Sequence, residues 1–165
     1  MGFFLAVAFG EGLRGVDSTH EAEYVLFLTI SVLGLTFLSS SVELLTLYIS
    51  LELSSYSLYI LVPMRRAEHT TQIEAGIKYV LFGAVASAVS LFGMSYVFGL
   101  AHTTRVDELL QHFPRIAATP IGILGLAMML GGFFFKLALF PFHFWTPDIY
   151  QGAANETSGV IATLP

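Results

Sequence analysis

Long apolar segments separated by short polar connections constrain this chain more than any other feature of its sequence. A helix needs about 20 consecutive apolar residues to cross the hydrocarbon core of a bilayer, which is about 30 Å thick. Apolar residues make up 55% of the chain and charged residues only 12%, a composition unlike that of a soluble domain. The sequence therefore predicts an all-α integral membrane protein, a bundle of transmembrane helices in contact with membrane lipid.

The apolar segments predict four membrane spans and the beginning of a further helix. Charged residues and prolines mark the ends of these segments. Residues 101–119 mix charges with apolar residues at near-helical spacing, which indicates a short helix in the membrane interface. We place residues 1–20 in an N-terminal arm and residues 21–165 in one transmembrane domain. The predicted spans are residues 24–40, 42–64, 73–100 and 120–140, and the further helix extends to residue 165.

Lys136 lies in the fourth predicted span, five residues before Pro141. A lysine near the middle of a bilayer costs roughly 2.5–3.5 kcal/mol on insertion scales, so such residues usually face a bundle interior or a wet cavity and belong to an ion pathway. Pro141 has no N–H for the carbonyl of Leu137, so we expect the helix to break at Pro141. The alternative is a lysine near a helix end, whose ammonium reaches the interface beside an ordinary proline kink.

The residues after Pro141 predict the start of a second half-helix. Thr146 suits the cap position, Pro147 the first helical position and Asp148 the first turn. His143 lies within the break, where its titration near neutrality suits a proton relay, and Pro147 leaves the His143 carbonyl without its usual helical partner. A hydrogen-bonded structural histidine is the alternative interpretation.

Glu52 lies midway along the second span, out of reach of either interface. Burial favours its neutral form and a nearby ammonium favours its charged form, so its proton can be gained or lost when a partner moves. We expect Glu52 and Lys136 to approach one another, although a neutral Glu52 bonded to a neighbouring helix is an alternative. Lys78, about two turns into the third span, is a third candidate for proton transfer. Its ammonium could equally reach the headgroups or pair with Glu74.

Small residues at three- and four-residue spacings occur in the third span, and we interpret them as helix-packing positions: Gly83, Ala84, Ser87 and Ala88.

Several classes of function are excluded by composition. The chain has no cysteine, which excludes a disulfide framework and a cysteine-bound iron–sulfur cluster. It has no glycine-rich nucleotide motif, and its histidines lack metal-ligand spacing, so we expect no cofactor and no metal in this chain. The net charge of −5 is spread over the connections and predicts no nucleic-acid binding.

Residues 132–153 read GFFFKLALFPFHFWTPDIYQGA. This segment strongly resembles the N-subunit family of proton-pumping NADH:quinone oxidoreductase, respiratory complex I, which includes mitochondrial NADH dehydrogenase subunit 2. The resemblance continues upstream and covers roughly residues 21–165. It implies most of one antiporter-like five-helix repeat with a discontinuous helix. By motif, Glu52 matches the membrane glutamate of the family's fifth helix, Lys78 the lysine of the sixth and Lys136 the lysine of the discontinuous seventh.

The resemblance implies a membrane-arm subunit that translocates protons while partner subunits transfer electrons from NADH to ubiquinone. Its implied partners are the other membrane-arm subunits of complex I, and its implied location is the bacterial plasma membrane or the mitochondrial inner membrane. Alternatives are a subunit of a cation/proton antiporter or membrane-bound hydrogenase, or a purely structural membrane subunit. Residues 154–157 depart from the family's proline-containing pattern. Because the family pattern continues beyond residue 165, we expect either a truncated subunit or a second chain that supplies the remainder.

Overall fold

The computed structural model describes residues 15–66 and 70–163. Most of the predicted N-terminal arm, residues 1–14, lies outside the described residues, as do the last two residues of the predicted final helix. Short 3-10 turns at Ser18–His20 and Val62–Met64 precede the first helix and follow the second. The helices are α1 (Glu21–Ser40), α2 (Leu44–Leu61), α3 (Thr71–Ala101), α4 (Val106–Ala117), α5 (Pro120–Lys136), α6 (Thr146–Gly152) and α7 (Asn155–Thr163).

Three of these helices are long and apolar enough to cross a membrane: α1, α2 together with its following 3-10 turn, and α3. They coincide with the first three predicted spans, with ends that differ by up to three residues. Helix α5 is apolar but shorter, and begins at Pro120 as predicted, with the Thr119 hydroxyl accepting a hydrogen bond from Gly122 N–H over 3.1 Å. With 17 residues, it lies at the short end of the length that crosses a bilayer.

The helices alternate in direction, and contacts at both ends of the bundle fix this arrangement. At one end, Leu44 N–H donates to the Thr104 carbonyl over 2.8 Å, which joins the start of α2 to the connection after α3. At the other end, the Arg65 guanidinium donates to the Gln151 carbonyl over 2.6 Å, which joins the end of α2 to α6. Helices α5 and α6 are joined by the non-helical residues 137–145, most of which are exposed, with Phe140 84% exposed.

The most extensive helix contacts are between α3 and α5 and between α1 and α2. Gly93 allows the first of these, because a Cβ atom there would lie 2.3 Å from the backbone nitrogen of Met129. In the second, the buried hydroxyls of Ser31 and Ser54 share a hydrogen bond of 2.9 Å.

The exposed and buried side chains are the reverse of those in a soluble protein. Many large apolar side chains face outward, with Val85 65% exposed and Phe92 62% exposed, while serines are buried between the helices. Lipid is the medium that solvates such an exterior, and polar groups then gather where helices meet. The chain is an integral membrane protein.

A short amphipathic helix, α4, occupies the connection between α3 and α5. Ile116 is buried against the bundle, whereas Leu110 and Phe113 are 69% and 50% exposed, as expected for a helix whose apolar face meets lipid at an interface. Just before it, the Arg105 guanidinium donates to Asp107 over 3.0 Å, and this bond lowers the pKa of the Asp107 carboxyl from its usual value.

Helix α5 ends at Lys136, so the prediction that it extends to Phe140 is wrong. Two hydrogen bonds close its last turn: Ala138 N–H donates to Phe135 over 3.0 Å and Leu139 N–H donates to Phe134 over 2.9 Å. This pair of bonds is the common way to end a helix on a left-handed residue, usually glycine. Here the left-handed residue is an alanine, Ala138, with φ of 50°.

Pro141 lies within the non-helical residues 137–145, but the helix has already ended before it. The prediction that Pro141 itself breaks the helix is therefore wrong, although an interruption is present. The Phe140–Pro141 peptide bond is cis. Within the described part of the chain, no donor pairs with the Leu137 carbonyl, as predicted, but Leu137 lies outside the helix rather than inside a kinked one.

Helix α6 begins at Thr146, one residue earlier than predicted. Trp145 takes the cap position that we assigned to Thr146, and Pro147 is the second helical residue. As predicted, the His143 carbonyl lacks its usual helical partner because Pro147 has no N–H; it accepts instead from the Thr146 backbone N–H over 3.1 Å.

Candidate functional site

The structure brings Glu52 and Lys136 together inside the bundle. The Lys136 ammonium lies 3.4 Å from Glu52 Oε1, and the side chains are 14% and 9% exposed. Glu52 comes from the middle of α2, whereas Lys136 is the last residue of α5. Because α5 ends at Lys136, its terminal side chain lies beside the middle of α2, level with the buried glutamate.

Two hydroxyl groups on α2 accept hydrogen bonds from the Lys136 ammonium. Ser55 Oγ lies 2.6 Å from the nitrogen and the Tyr59 hydroxyl lies 3.1 Å from it. Ser55 and Tyr59 follow Glu52 by three and seven residues, so all three lie on one face of the helix. The ammonium thus has two neutral acceptors and one carboxylate around it.

Among the described residues, the Glu52 carboxylate accepts one hydrogen bond, from a side chain of α3. Ser87 Oγ donates to Glu52 Oε1 over 2.7 Å, so one carboxylate oxygen contacts both Ser87 and the ammonium. Glu52 Oε2 is buried and has no hydrogen-bond partner among residues 15–66 and 70–163. A cavity of about 10 Å³ adjoins the pair and is lined by Glu52, Ser87, Ser90 and Lys136 together with apolar residues of α2 and α5. That volume is close to what a single water occupies.

The charge state of each partner depends on the other. At 3.4 Å the Coulomb attraction is roughly 5 kcal/mol with an effective dielectric constant of about 20. Removing one such ion from water costs several kcal/mol, so the attraction is of the same size as the desolvation penalty. Because doubling the distance halves the attraction, the balance between attraction and desolvation is sensitive to a movement of a few ångströms. This arrangement suits a group that must both take up and release a proton.

Lys78 lies apart from this pair, at an ion-pair cluster nearer the start of α3. Its ammonium is 2.8 Å from Glu74 and 2.7 Å from Asp148, and its side chain is 38% exposed. The predicted pairing with Glu74 is therefore present. The contact with Asp148 was not predicted, and it ties the first turn of α6 to α3.

His143 lies in the interruption and is exposed in the described structure. Its ring is 5.7 Å from that of Phe140, and its side chain forms no hydrogen bond with the residues that the structure describes. The structure thus does not bring His143 to the Glu52–Lys136 pair. Its role in proton transfer stays a prediction.

Metal ligation is not suggested by the side chains in the described ranges. They contain no group of three or more His, Asp or Glu residues close enough to hold an ion together.

Residues 41–165 match the sequence profile of a family described as NADH:quinone oxidoreductase/Mrp antiporter, TM. The chain belongs to this family. NADH-quinone oxidoreductase subunit N 2 from Solidesulfovibrio magneticus is 49% identical over 99% of this chain and 36% of its own length. The protein of the same name from Opitutus terrae is 45% identical over 98% of this chain and 36% of its own length. The chain thus spans about a third of the length of the curated relatives it matches.

Two respiratory complexes of known structure contain the same fold. Respiratory complex I from Thermus thermophilus with bound aureothin aligns with 98% of this chain and 36% of the matched chain, with a TM-score of 0.73 and 30% identity. The membrane-bound sulfane sulfur reductase, an archaeal respiratory membrane complex, aligns with 94% of this chain and 31% of its own, with a TM-score of 0.80. Its identity is 24%, so this likeness concerns the fold alone. The predicted antiporter-like helix bundle is confirmed.

Two residues of the site in this antiporter-family chain were not predicted from the sequence. Ser87 was assigned to helix packing, yet it donates to Glu52 from α3. Tyr59 was given no role, yet it accepts from Lys136. Both residues could have been found from the sequence, because each has a hydroxyl group within an apolar span and a buried hydroxyl needs a hydrogen-bond partner.

Proposed function

We propose that this chain provides part of a proton-translocation path in a membrane-arm subunit of a respiratory NADH:quinone oxidoreductase. The observation that carries the proposal is the pair of Glu52 and Lys136, 3.4 Å apart and buried at an interrupted helix. The subunit N relatives support the assignment to this complex.

The pair can hold and pass one proton. Transfer from the Lys136 ammonium to the Glu52 carboxylate leaves both groups neutral. Glu52 then releases that proton to the next acceptor on the path, and Lys136 takes up another proton, which restores the charged pair. Ser55, Tyr59 and Ser87 surround the two groups with hydroxyls that both donate and accept. Redox energy reaches the pair through movement of neighbouring helices, since changing the separation changes the favoured charge state.

Lys78 and His143 are proposed to extend this path on the side of the pair where α6 lies, because Lys78 contacts Asp148 of α6 and His143 lies three residues before α6 begins. The Lys78 ammonium contacts two carboxylates at once, which makes Lys78 the stronger of the two candidates. Electron transfer is assigned to partner chains, and the partners are other membrane-arm subunits. No cofactor is proposed for this chain.

A second candidate function is cation/proton antiport, because the matching family includes Mrp antiporters. It uses the same Glu52–Lys136 pair, and it predicts transport that depends on Na⁺ rather than on quinone reduction. A third reading is purely structural, in which Glu52 and Lys136 stay permanently paired and only hold α2 and α5 together.

The test replaces Lys136 in the assembled complex, reconstituted in vesicles. Lys136→Ala should strongly reduce proton pumping while leaving electron transfer from NADH to an artificial acceptor intact. Lys136→Arg should also impair pumping, because arginine keeps its proton at all accessible pH values. The measurement is the number of protons pumped per NADH at equal assembly.

The structural reading predicts the opposite order, with Lys136→Arg tolerated and Lys136→Ala defective in assembly. Normal pumping by Lys136→Arg would overturn the proposed function. Pumping that follows Na⁺ rather than quinone reduction would favour the antiporter function.

A further inference from the structure

Tyr59 contacts the Lys136 ammonium and is itself almost completely buried. Its hydroxyl accepts from Lys136 Nζ over 3.1 Å, and the same nitrogen lies 5.4 Å from the centre of its ring. Tyr59 is 5% exposed. Its hydroxyl therefore has a fixed position relative to the ammonium.

Helix α3 provides the space for that hydroxyl at Gly83. A Cβ atom on Gly83 would lie 1.9 Å from the Tyr59 hydroxyl oxygen and 2.5 Å from Cζ, distances at which the tyrosine must move. The hydroxyl occupies the volume that a side chain at position 83 would fill. The observed position of Tyr59 is therefore compatible only with glycine at residue 83. A glycine there also lets α2 and α3 pack closely.

An aromatic column holds the Tyr59 ring from its other side and leads back to Lys136. The rings of Tyr59 and Tyr79 meet edge to face at 4.6 Å, and Tyr79 stacks on Trp145 at 5.0 Å. The Trp145 indole N–H donates to the Phe135 carbonyl over 3.0 Å. Phe135 directly precedes Lys136, so the column restrains both the backbone and the ammonium of the lysine.

The contact between Lys136 and Glu52 is longer than a direct charge-assisted bond. Such bonds between an ammonium and a carboxylate measure about 2.7–2.9 Å, whereas the observed separation is 3.4 Å. The lysine instead points its donors at Ser55 and Tyr59.

We propose that Tyr59, seated in the space left by Gly83, is a positioning residue that keeps the Lys136 ammonium from closing onto Glu52. The inference rests on the proposed function of the Glu52–Lys136 pair. A directly bonded pair would hold its charges more tightly and release a proton more slowly. Tyr59 therefore keeps the pair in a state from which a proton can leave.

The test compares Tyr59→Phe and Gly83→Ala in the assembled complex. Tyr59→Phe removes the acceptor and keeps the ring, while Gly83→Ala keeps the hydroxyl and displaces it. Both should slow proton pumping roughly two- to tenfold, the range expected for the loss of one hydrogen bond, with the KM for quinone unchanged. A cryo-EM structure of Tyr59→Phe should show the Lys136–Glu52 separation reduced to about 2.7–2.9 Å.

Matched controls exist on α3. Gly99→Ala introduces the same methyl group where nothing lies within 4 Å, and Tyr96→Phe removes the hydroxyl of a half-buried ring that lies beside Phe92. Both should pump normally. If Gly83→Ala fails to assemble, Tyr59→Phe alone decides the matter.

The inference is overturned if Tyr59→Phe pumps at the control rate, or if the separation stays near 3.4 Å. The Lys136→Ala variant distinguishes a failure of the proposed function from a failure of the inference about Tyr59. Normal pumping by Lys136→Ala rejects the proposed function, whereas lost pumping with an unaffected Tyr59→Phe rejects only the role of Tyr59.

Discussion

The Ser87 hydroxyl of α3 donates to the Glu52 carboxylate of α2 over 2.7 Å. It is the only protein hydrogen bond to this carboxylate within the described ranges, and the same oxygen faces Lys136. A small residue in a packing series is thus also a ligand of the buried charge.

Replacing Ser87 with alanine should weaken the site without changing its shape. Hydrogen bonds to charged groups contribute about 1.5–3 kcal/mol, so Ser87→Ala should destabilise the subunit by that order and slow pumping. Thermal dissociation of the complex and vesicle pumping assays measure the two effects. The control is Ser95→Ala, since Ser95 is exposed and bonds only to the Phe92 carbonyl of its own helix. Equal behaviour of the two variants would contradict a role for Ser87 at Glu52.

Neutralising one partner of the buried pair should be worse for stability than neutralising both. Lys136→Met leaves Glu52 without its cation, which costs about 3–5 kcal/mol where the charge persists. The double variant Glu52→Gln with Lys136→Met should recover assembly, measured as retention of the subunit on heating in detergent. It should not recover pumping, because neither group then carries a proton. Recovery of pumping in the double variant would argue for a purely structural pair.

Lys78 and the two carboxylates beside it predict an order of severity for substitutions. Lys78→Met leaves two neighbouring carboxylates, Glu74 and Asp148, with no cation between them. Asp148→Asn leaves the Glu74–Lys78 ion pair intact. Because solvent screens exposed ion pairs, Asp148→Asn should have a small effect on thermal stability and Lys78→Met a larger one. Greater damage from Asp148→Asn than from Lys78→Met would show that the tether of α6, rather than charge balance, is what matters.

Ala138 holds a backbone conformation that suits glycine better. Its φ of 50° costs an alanine roughly 1–2 kcal/mol, so Ala138→Gly should raise the thermal stability of the subunit. Ala127→Gly, at an exposed position inside α5, should instead lower the stability by roughly 0.5–1 kcal/mol. Both are read from the melting temperature of the complex. Destabilisation by both substitutions would contradict the left-handed helix end.

The sequence by itself determined the spans, the buried charges and the existence of an interruption. Apolar length predicts a membrane crossing because each residue's transfer cost into hydrocarbon depends little on its neighbours. Glu52 and Lys136 stood out by the same local argument, since a charge in such a segment must find an interior partner. Both ended in the interior, 3.4 Å apart.

The position of the interruption was less predictable. Pro141 is a strong local signal, yet α5 ends at Lys136, five residues earlier, through a left-handed alanine. An alanine carries no sequence mark of that conformation, because its propensity favours the helix. Trp145, bonded to the Phe135 carbonyl, helps to hold the early end from outside the local segment.

Only the tertiary structure decided which residues surround the charges. Ser87, Tyr59 and Gly83 meet at the pair because α2, α3 and α5 have particular rotations and depths relative to one another, and Asp148 reaches Lys78 for the same reason. Residue spacing within one helix determines which side chains share a face, but it contains no information on the facing helix. Contacts between helices arise from non-local packing, so the partners of a buried charge become visible only in the folded bundle.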